Sequence, residues 1–216
     1  MKMKKYSISK QALQRLPSYL NYLNWAKREN VKNISSPTIA SDLKLNEVQV
    51  RKDLAAISST GGKPRLGYNV DTLISDIKVF LGYDETDKAV LIGAGQLGRA
   101  LLSYNGYEDY GLEIVAAFDV DNAVVGKKFK GKPIYHIDML DRVCKKNNIH
   151  IGIITVSAEN AQEACDKLVE CGILAIWNFA PCHLVVPDNI LVQHENTAAS
   201  LAFLSMHLRE KMKNEK

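Results

Sequence analysis

Apolar positions change period part-way along the chain. Early on they recur at intervals of three and four: Leu13, Leu16, Leu20 and Leu23 make one stripe, predicting a helix from Ser9 to about Arg28 with a kink or restart at Pro17. Ser36-Pro37, read as a capping serine before a first-turn proline, predicts a short second helix through Ile39, Ala40 and Leu43 to near Lys44. Asn46, with Gln49 three residues on, opens a third helix over Glu47 to Ile57. Three helices with a tight second connection predict a helix-turn-helix. The turn-rich run Ser58 to Gly67, leading into an apolar Tyr68-Asn69-Val70, predicts a β-wing, and Asp71 to Leu81 a further helix.

Beyond the polar stretch Gly82 to Asp87, short apolar runs alternate with helical patterns. Strands are expected at Ala89–Ile92, Ile114–Asp119, Ile134–His136, Ile149–Val156, Leu174–Phe179 and Ile190–Gln193. Helices are expected after the first of these, at Asp138–Lys146 and at Glu159–Glu170. This alternation predicts a doubly wound, mostly parallel sheet. Past Asn196 a last helix carries Leu201, Leu204 and Leu208 in one stripe, widened by Ala198, Ala202, Phe203 and Met206. So much apolar surface predicts burial against a partner subunit, with packing on its own sheet as the alternative. The expected organisation is residues 1–84, 85–195 and 196–216: a winged-helix DNA-binding domain, a Rossmann-type nucleotide domain and a dimerisation helix.

Charge supports this division. Residues 1–83 carry 14 Lys and Arg against 6 Asp and Glu, whereas residues 84–216 carry 14 against 18. The net +4 therefore hides a basic front and an acidic rear, the arrangement of a polyanion-binding module joined to a domain with other business. On the third helix Val50, Leu54 and Ile57 share the apolar face, leaving Lys52 opposite and Gln49 and Arg51 on the flanks. Gln can bond adenine at two atoms, and Arg and Lys can donate to guanine or neutralise phosphate. Lys63 and Arg65 add cations near the wing tip. Together these predict contact with double-stranded DNA.

The rear domain carries its own signature. Strand Ala89–Ile92 delivers the chain to Gly93-Ala94-Gly95-Gln96-Leu97-Gly98, and a second strand ends on Asp119, 21 residues after Gly98. The first glycine permits a tight turn, the second lets backbone approach a pyrophosphate, and the third packs helix on strand. The phosphates would meet the helix N-terminus. Asp119 can accept from a ribose 2′-hydroxyl and would repel a 2′-phosphate, favouring NAD(H) over NADP(H).

No catalytic equipment accompanies this motif. After the nucleotide unit only enough chain remains to finish the sheet, His136, His150, His183, His194 and His207 are scattered without metal-ligand spacing, and Cys182-His183 lacks a third group. Cys144, Cys165, Cys171 and Cys182 show no CxxC pairing and are expected to be reduced. Met1-Lys-Met-Lys-Lys is followed by no long apolar run, so a cytoplasmic protein without membrane span or metal is expected. A nucleotide site behind a DNA-binding module reads as a sensor: nucleotide biases an equilibrium that the DNA domains report.

At these residues the chain resembles the redox-sensing transcriptional repressor Rex family. The resemblance runs through Arg15-Leu16-Pro17-Ser18-Tyr19-Leu20, Val50-Arg51-Lys52-Asp53-Leu54, Gly67-Tyr68, Gly93 to Gly98 with Tyr104, and Asn178-Phe179-Ala180-Pro181. It implies a homodimeric repressor that leaves operator DNA when NADH binds in preference to NAD+, with the last helix swapped between subunits. It further implies that the Lys52 helix enters the major groove and the Lys63–Arg65 wing the minor groove. Arg15 and Tyr104 match two contacts that change with nucleotide state in the family. The third, an aspartate, is Asn196 here, beside Glu195. Ser59-Thr60-Gly61-Gly62 replaces a usual phenylalanine-glycine pair, and Ser157 stands where proline is common. Two rival readings are a small NAD-dependent oxidoreductase with an interaction domain, and a DNA-binding protein whose rear domain takes coenzyme A or nothing.

Overall fold

The computed structural model describes residues 8–214, so the basic Met1–Lys5 stretch lies outside the described residues. The chain forms two compact units, the first ending at Glu85 and the second beginning at Thr86.

In the front unit, helix α1 (Lys10–Arg28) is capped by Ser9, whose side chain accepts from the Ala12 N–H at 3.1 Å. It runs through Pro17 as one helix, so the expected restart does not occur. Leu16, Leu20 and Leu23 are buried with Ala12, Tyr19 and Ala26, whereas Leu13 is exposed and lies off the apolar stripe. A two-residue strand, β1 (Asn33–Ile34), precedes α2 (Ser36–Asp42). The cap of α2 is Ser35, accepting from the Thr38 N–H, rather than Ser36, which is buried in the first turn. Asn46 caps α3 (Glu47–Ile57) by accepting from the Gln49 N–H at 3.1 Å.

The wing turns back into β2 (Tyr68–Asn69), antiparallel to β1. Val70, expected in that strand, instead begins α4 (Val70–Leu81): Asn69 caps the helix through the Thr72 N–H, drawing Val70 into its first turn, where it is buried. The facing apolar stripes of α1, α3 and α4 close one core.

The rear unit is a seven-stranded sheet. Its strands are β3 (Asp87–Ile92), β4 (Leu112–Asp119), β5 (Lys128–Phe129), β6 (Lys132–His136), β7 (Ile151–Ile154), β8 (Ala175–Asn178) and β9 (Leu191–His194). Their spatial order is β5-β6-β4-β3-β7-β8-β9, and every pairing is parallel except the β5–β6 hairpin. Buried parallel strands must be apolar on both faces, which the runs Ala89–Ile92 and Ile151–Ile154 satisfy. Helices α6 (Leu140–Asn147) and α7 (Ala158–Glu170) contribute to the core that includes Ala116 and Phe118. Leu102 of α5 (Gln96–Ser103) lies in the core that includes Ile114 and Ala117. The final helix, α8 (Thr197–Asn214), has no buried residue among those described.

Candidate nucleotide and nucleic-acid sites

At the carboxyl end of β3 the chain reverses at Gly93, which has φ +101°, a conformation that favours glycine. The turn is tied to its neighbours: the Gly93 N–H donates to the Phe118 carbonyl at 2.8 Å, and the Thr155 hydroxyl reaches the Gly93 and Ile92 carbonyls at 2.7 and 3.1 Å. A Cβ on Gly98 would stand 1.9 Å from the Gly93 oxygen, so the first turn of α5 packs directly on the loop. A Cβ on Gly95 would meet nothing within 4 Å, and no side chain caps α5. The amides at this helix start thus face an open side, the arrangement that receives phosphate.

Asp119 ends the adjacent strand, β4. One carboxylate oxygen accepts from the Ala94 N–H at 2.6 Å; the other accepts from the Val120 and Asp121 N–H groups at 2.8 and 3.0 Å. The acid expected to read a ribose therefore also fastens the glycine loop. Gly93 and Asp119 line a cleft of about 280 Å³ with Ile137, Val156, Asn160 and Lys167. No motif spacing in the sequence links Thr155 or the cleft's α7 residues to the glycines; the β7–β3 pairing carries the chain to Thr155, which bonds the Gly93 carbonyl, and α7 follows from there.

Gln96 and Leu97 occupy the first turn of α5, and Tyr104 follows its last residue. Tyr104 is 52% exposed and meets Tyr107 edge-on at 4.9 Å; Tyr107 meets Trp177 at 5.8 Å, and Trp177 meets Phe179 at 4.8 Å. Burial, then Tyr104 and Glu195, push the Tyr107 phenol up. Glu195 accepts from the Trp177 indole N–H at 2.7 Å, while Asn196 accepts from the Ala199 N–H at 2.9 Å at the start of α8.

In the front unit Gln49, Arg51 and Lys52 are exposed on α3, opposite the buried Val50, Leu54 and Ile57. Arg51 reaches back to Glu47 at 3.2 Å. The wing closes through reciprocal backbone hydrogen bonds between Lys63 and Gly67, leaving the side chains of Lys63 and Arg65 exposed. A Cβ on Gly67 would fall 2.2 Å from the Ile34 carbonyl, so only glycine lets the wing cross β1.

Asp53, which the sequence shows only as one member of the Val50–Leu54 motif, has a role of its own in the structure. It is buried on α3, bonded by Arg15 through Nε at 2.8 Å and Nη2 at 3.1 Å, and by the Tyr19 hydroxyl at 2.8 Å. Burial and this bond push the Tyr19 phenol up to about 12. Arg15 thus pins α1 to the helix that presents Lys52. An acid at the spacing of the apolar stripe was the available signal.

Among the described residues no group of three or more His, Cys, Asp or Glu is placed to hold a metal ion, and no helix is long and apolar enough to cross a membrane.

Comparison with known proteins accounts for both units. A family model described as "CoA binding domain" matches residues 84–182, and a model for a "DNA-binding protein N-terminus" matches residues 7–55. Redox-sensing transcriptional repressor Rex of Treponema denticola is 42% identical over 200 residues, covering 93% of this chain and 95% of its own. The chain belongs to the redox-sensing transcriptional repressor Rex family. The Rex of Bacteroides thetaiotaomicron is likewise 42% identical, over 89% of this chain and 87% of its own. A Rex-family repressor, RSP, solved with β-NAD+ and operator DNA, has a TM-score of 0.87 and 33% identity, covering 98% of this chain and 97% of that one. RSP solved with β-NADH gives 0.84 and 34%, covering 98% and 100%. These relatives are named repressors, which sets aside the oxidoreductase reading.

Proposed function

We propose that this Rex-family chain is an NADH-responsive transcriptional repressor that binds operator DNA as a homodimer and is released when NADH binds. The observation that carries the reading is the coexistence, in one chain matched end to end by Rex repressors, of an exposed cationic helix–wing surface and a glycine loop held open for phosphate. The rear family model takes its name from coenzyme A, but the whole-chain neighbours were solved with NAD+ and NADH.

The site fits a dinucleotide. The face of Gly95 is open, so a pyrophosphate could approach the backbone where a side chain would otherwise stand, and the Asp119 carboxylate keeps acceptor capacity beside the cleft for a ribose hydroxyl. When bound, the nicotinamide supplies a charge difference: the oxidised ring is a cation and the reduced ring is neutral. The amides of Gln96, Leu97 and Gly98 would hold the phosphates. Tyr104, half-exposed at the end of the aromatic row, would turn with ring state without opening the core. Asn196 holds the start of α8 by its cap, and Arg15 holds α3 through Asp53, so both have structural duties besides any switching.

In the front unit α3 would lie in the major groove with Gln49, Arg51 and Lys52 toward base edges and phosphates, and Lys63 and Arg65 would reach the minor groove. Homodimerisation rests on α8, whose Leu201, Phe203, Leu204, Met206 and Leu208 are all more than half exposed on their own chain. Exchange of this helix would bury it. We place the protein in the cytoplasm, where the operator is.

Reciprocal variants test the assignment. Lys52→Ala should lose operator affinity and keep NADH affinity, and Asp119→Ala the reverse. Equal losses of both in either variant would contradict it.

A further inference from the structure

The rear unit has a second opening, of about 410 Å³, at the edge of its sheet. Val115 of β4 forms part of its floor, Pro133 and Tyr135 of β6 one wall, and Arg142, Val143 and Lys146 of α6 the other. It shares no lining residue with the nucleotide cleft.

Arg142 and Lys146 stand four apart on α6 and so lie on one face of it. On the adjoining face Lys145 is paired with Asp141 at 2.7 Å. Neither cleft-side cation has a carboxylate at ion-pair distance among the described residues. Like charges at this spacing disfavour a helix, and an anion between them would offset that cost.

Charge along the chain gives an independent pointer. The rear part is acidic overall, yet from Asn122 to Ile137 it has no carboxylate and carries Lys127, Lys128, Lys130 and Lys132. That stretch forms the β5–β6 hairpin, in which Lys128 pairs across from the cleft residue Pro133. The cleft therefore opens at the basic edge of an acidic unit, where positive potential gathers anions.

We infer that this cleft is a second ligand site, for a small organic anion: a carboxylate or phosphate carried on a flat apolar body. The planar fork of Arg142 suits the bidentate capture of such a group. The carbonyls that end α6 repel an anion near Lys146, so the acid sits toward Arg142 with Lys146 as the more distant charge. The apolar body lies against Tyr135, Val115 and Val143.

Calorimetric titration of the full chain with 1-naphthyl phosphate, with and without saturating NADH, tests this. The expected result is one site per chain, unaffected by NADH, with inorganic phosphate and 1-naphthol both binding more weakly. Arg142→Gln should weaken binding roughly tenfold, as for loss of one charge-assisted hydrogen bond. Lys146→Gln should weaken it less, and Lys145→Gln, away from the cleft, should leave it unchanged. Circular dichroism melts of the three variants would show that each is folded. The proposal is overturned by absence of binding at millimolar probe, by competition from NADH, by equal binding of either control compound, or by wild-type affinity in Arg142→Gln.

Discussion

Two aspartates organise the two units, and they do it differently. Asp53 is buried in the front unit and held by side chains, the Arg15 guanidinium and the Tyr19 hydroxyl; Asp119 is half-buried in the rear unit and held by three backbone amides. The first fixes a helix whose exposed side chains would meet the proposed operator. The second fixes a loop whose own backbone would meet the proposed nucleotide. A side-chain clamp fails by leaving a charge without its partner, whereas a backbone cradle fails by steric intrusion. The front unit should therefore be sensitive to losing a partner, and the rear unit to gaining an atom.

The largest effect expected from this contrast is at Gly98. Gly98→Val should abolish measurable NADH binding, since its Cβ would stand 1.9 Å from the Gly93 carbonyl oxygen, while the isolated thermal transition of the front unit stays in place. Fluorescence titration with NADH and calorimetry check both halves. NADH binding of wild-type strength would break the contrast.

Next comes Arg15→Ala, which leaves the buried Asp53 carboxylate with Tyr19 alone. Removing one partner of such a pair should destabilise the front unit by about 3 kcal/mol, read by urea denaturation, with NADH affinity unchanged. Asp119→Ala should follow, weakening NADH by about 2 kcal/mol through loss of hydrogen bonds to a charged acceptor. Lys52→Ala should reduce operator affinity about tenfold and lower the salt slope by about one, with no change in stability, because Lys52 is exposed.

The smallest effect is at Tyr19. Tyr19→Phe should cost about 1 kcal/mol, and its pH dependence sharpens the assignment. The folded phenol is raised to about 12 from an ordinary value of 10.0, first by burial and then by Asp53. A raised value means that the phenol's contribution is fully present below about 10 and is lost as pH rises through about 12. The wild-type advantage over Tyr19→Phe should thus be flat from neutral pH to about 9 and shrink above 10. A peak at acid pH would assign the difference to another group.

The rear fold was legible because each parallel strand is a short apolar run and the glycine spacing is tied to a turn only glycine can make. What escaped there was non-local: Thr155 and the α7 residues join the site through strand pairing across more than sixty positions. In the front unit the exposed cations were legible from helical period, but Asp53 was not, since an acid on an apolar stripe has meaning only once Arg15 and Tyr19 are packed against it. Pro17 misled because the flanking stripe, with Leu16 and Leu20 buried on either side, outweighs the loss of one backbone hydrogen bond. Ser35 rather than Ser36 is the cap because its side chain, one residue outside the helix, reaches the Thr38 N–H.

The central claim is that nucleotide bound in the rear unit governs DNA held by the front unit. Its direct test is the anisotropy of a fluorescent duplex from the protein's own promoter region, bound at about 0.15 M salt where nonspecific phosphate contacts are weakened, with NADH and NAD+ added separately. Specific binding released by NADH and largely kept with NAD+ is the predicted result. Specific binding indifferent to both nucleotides would contradict it.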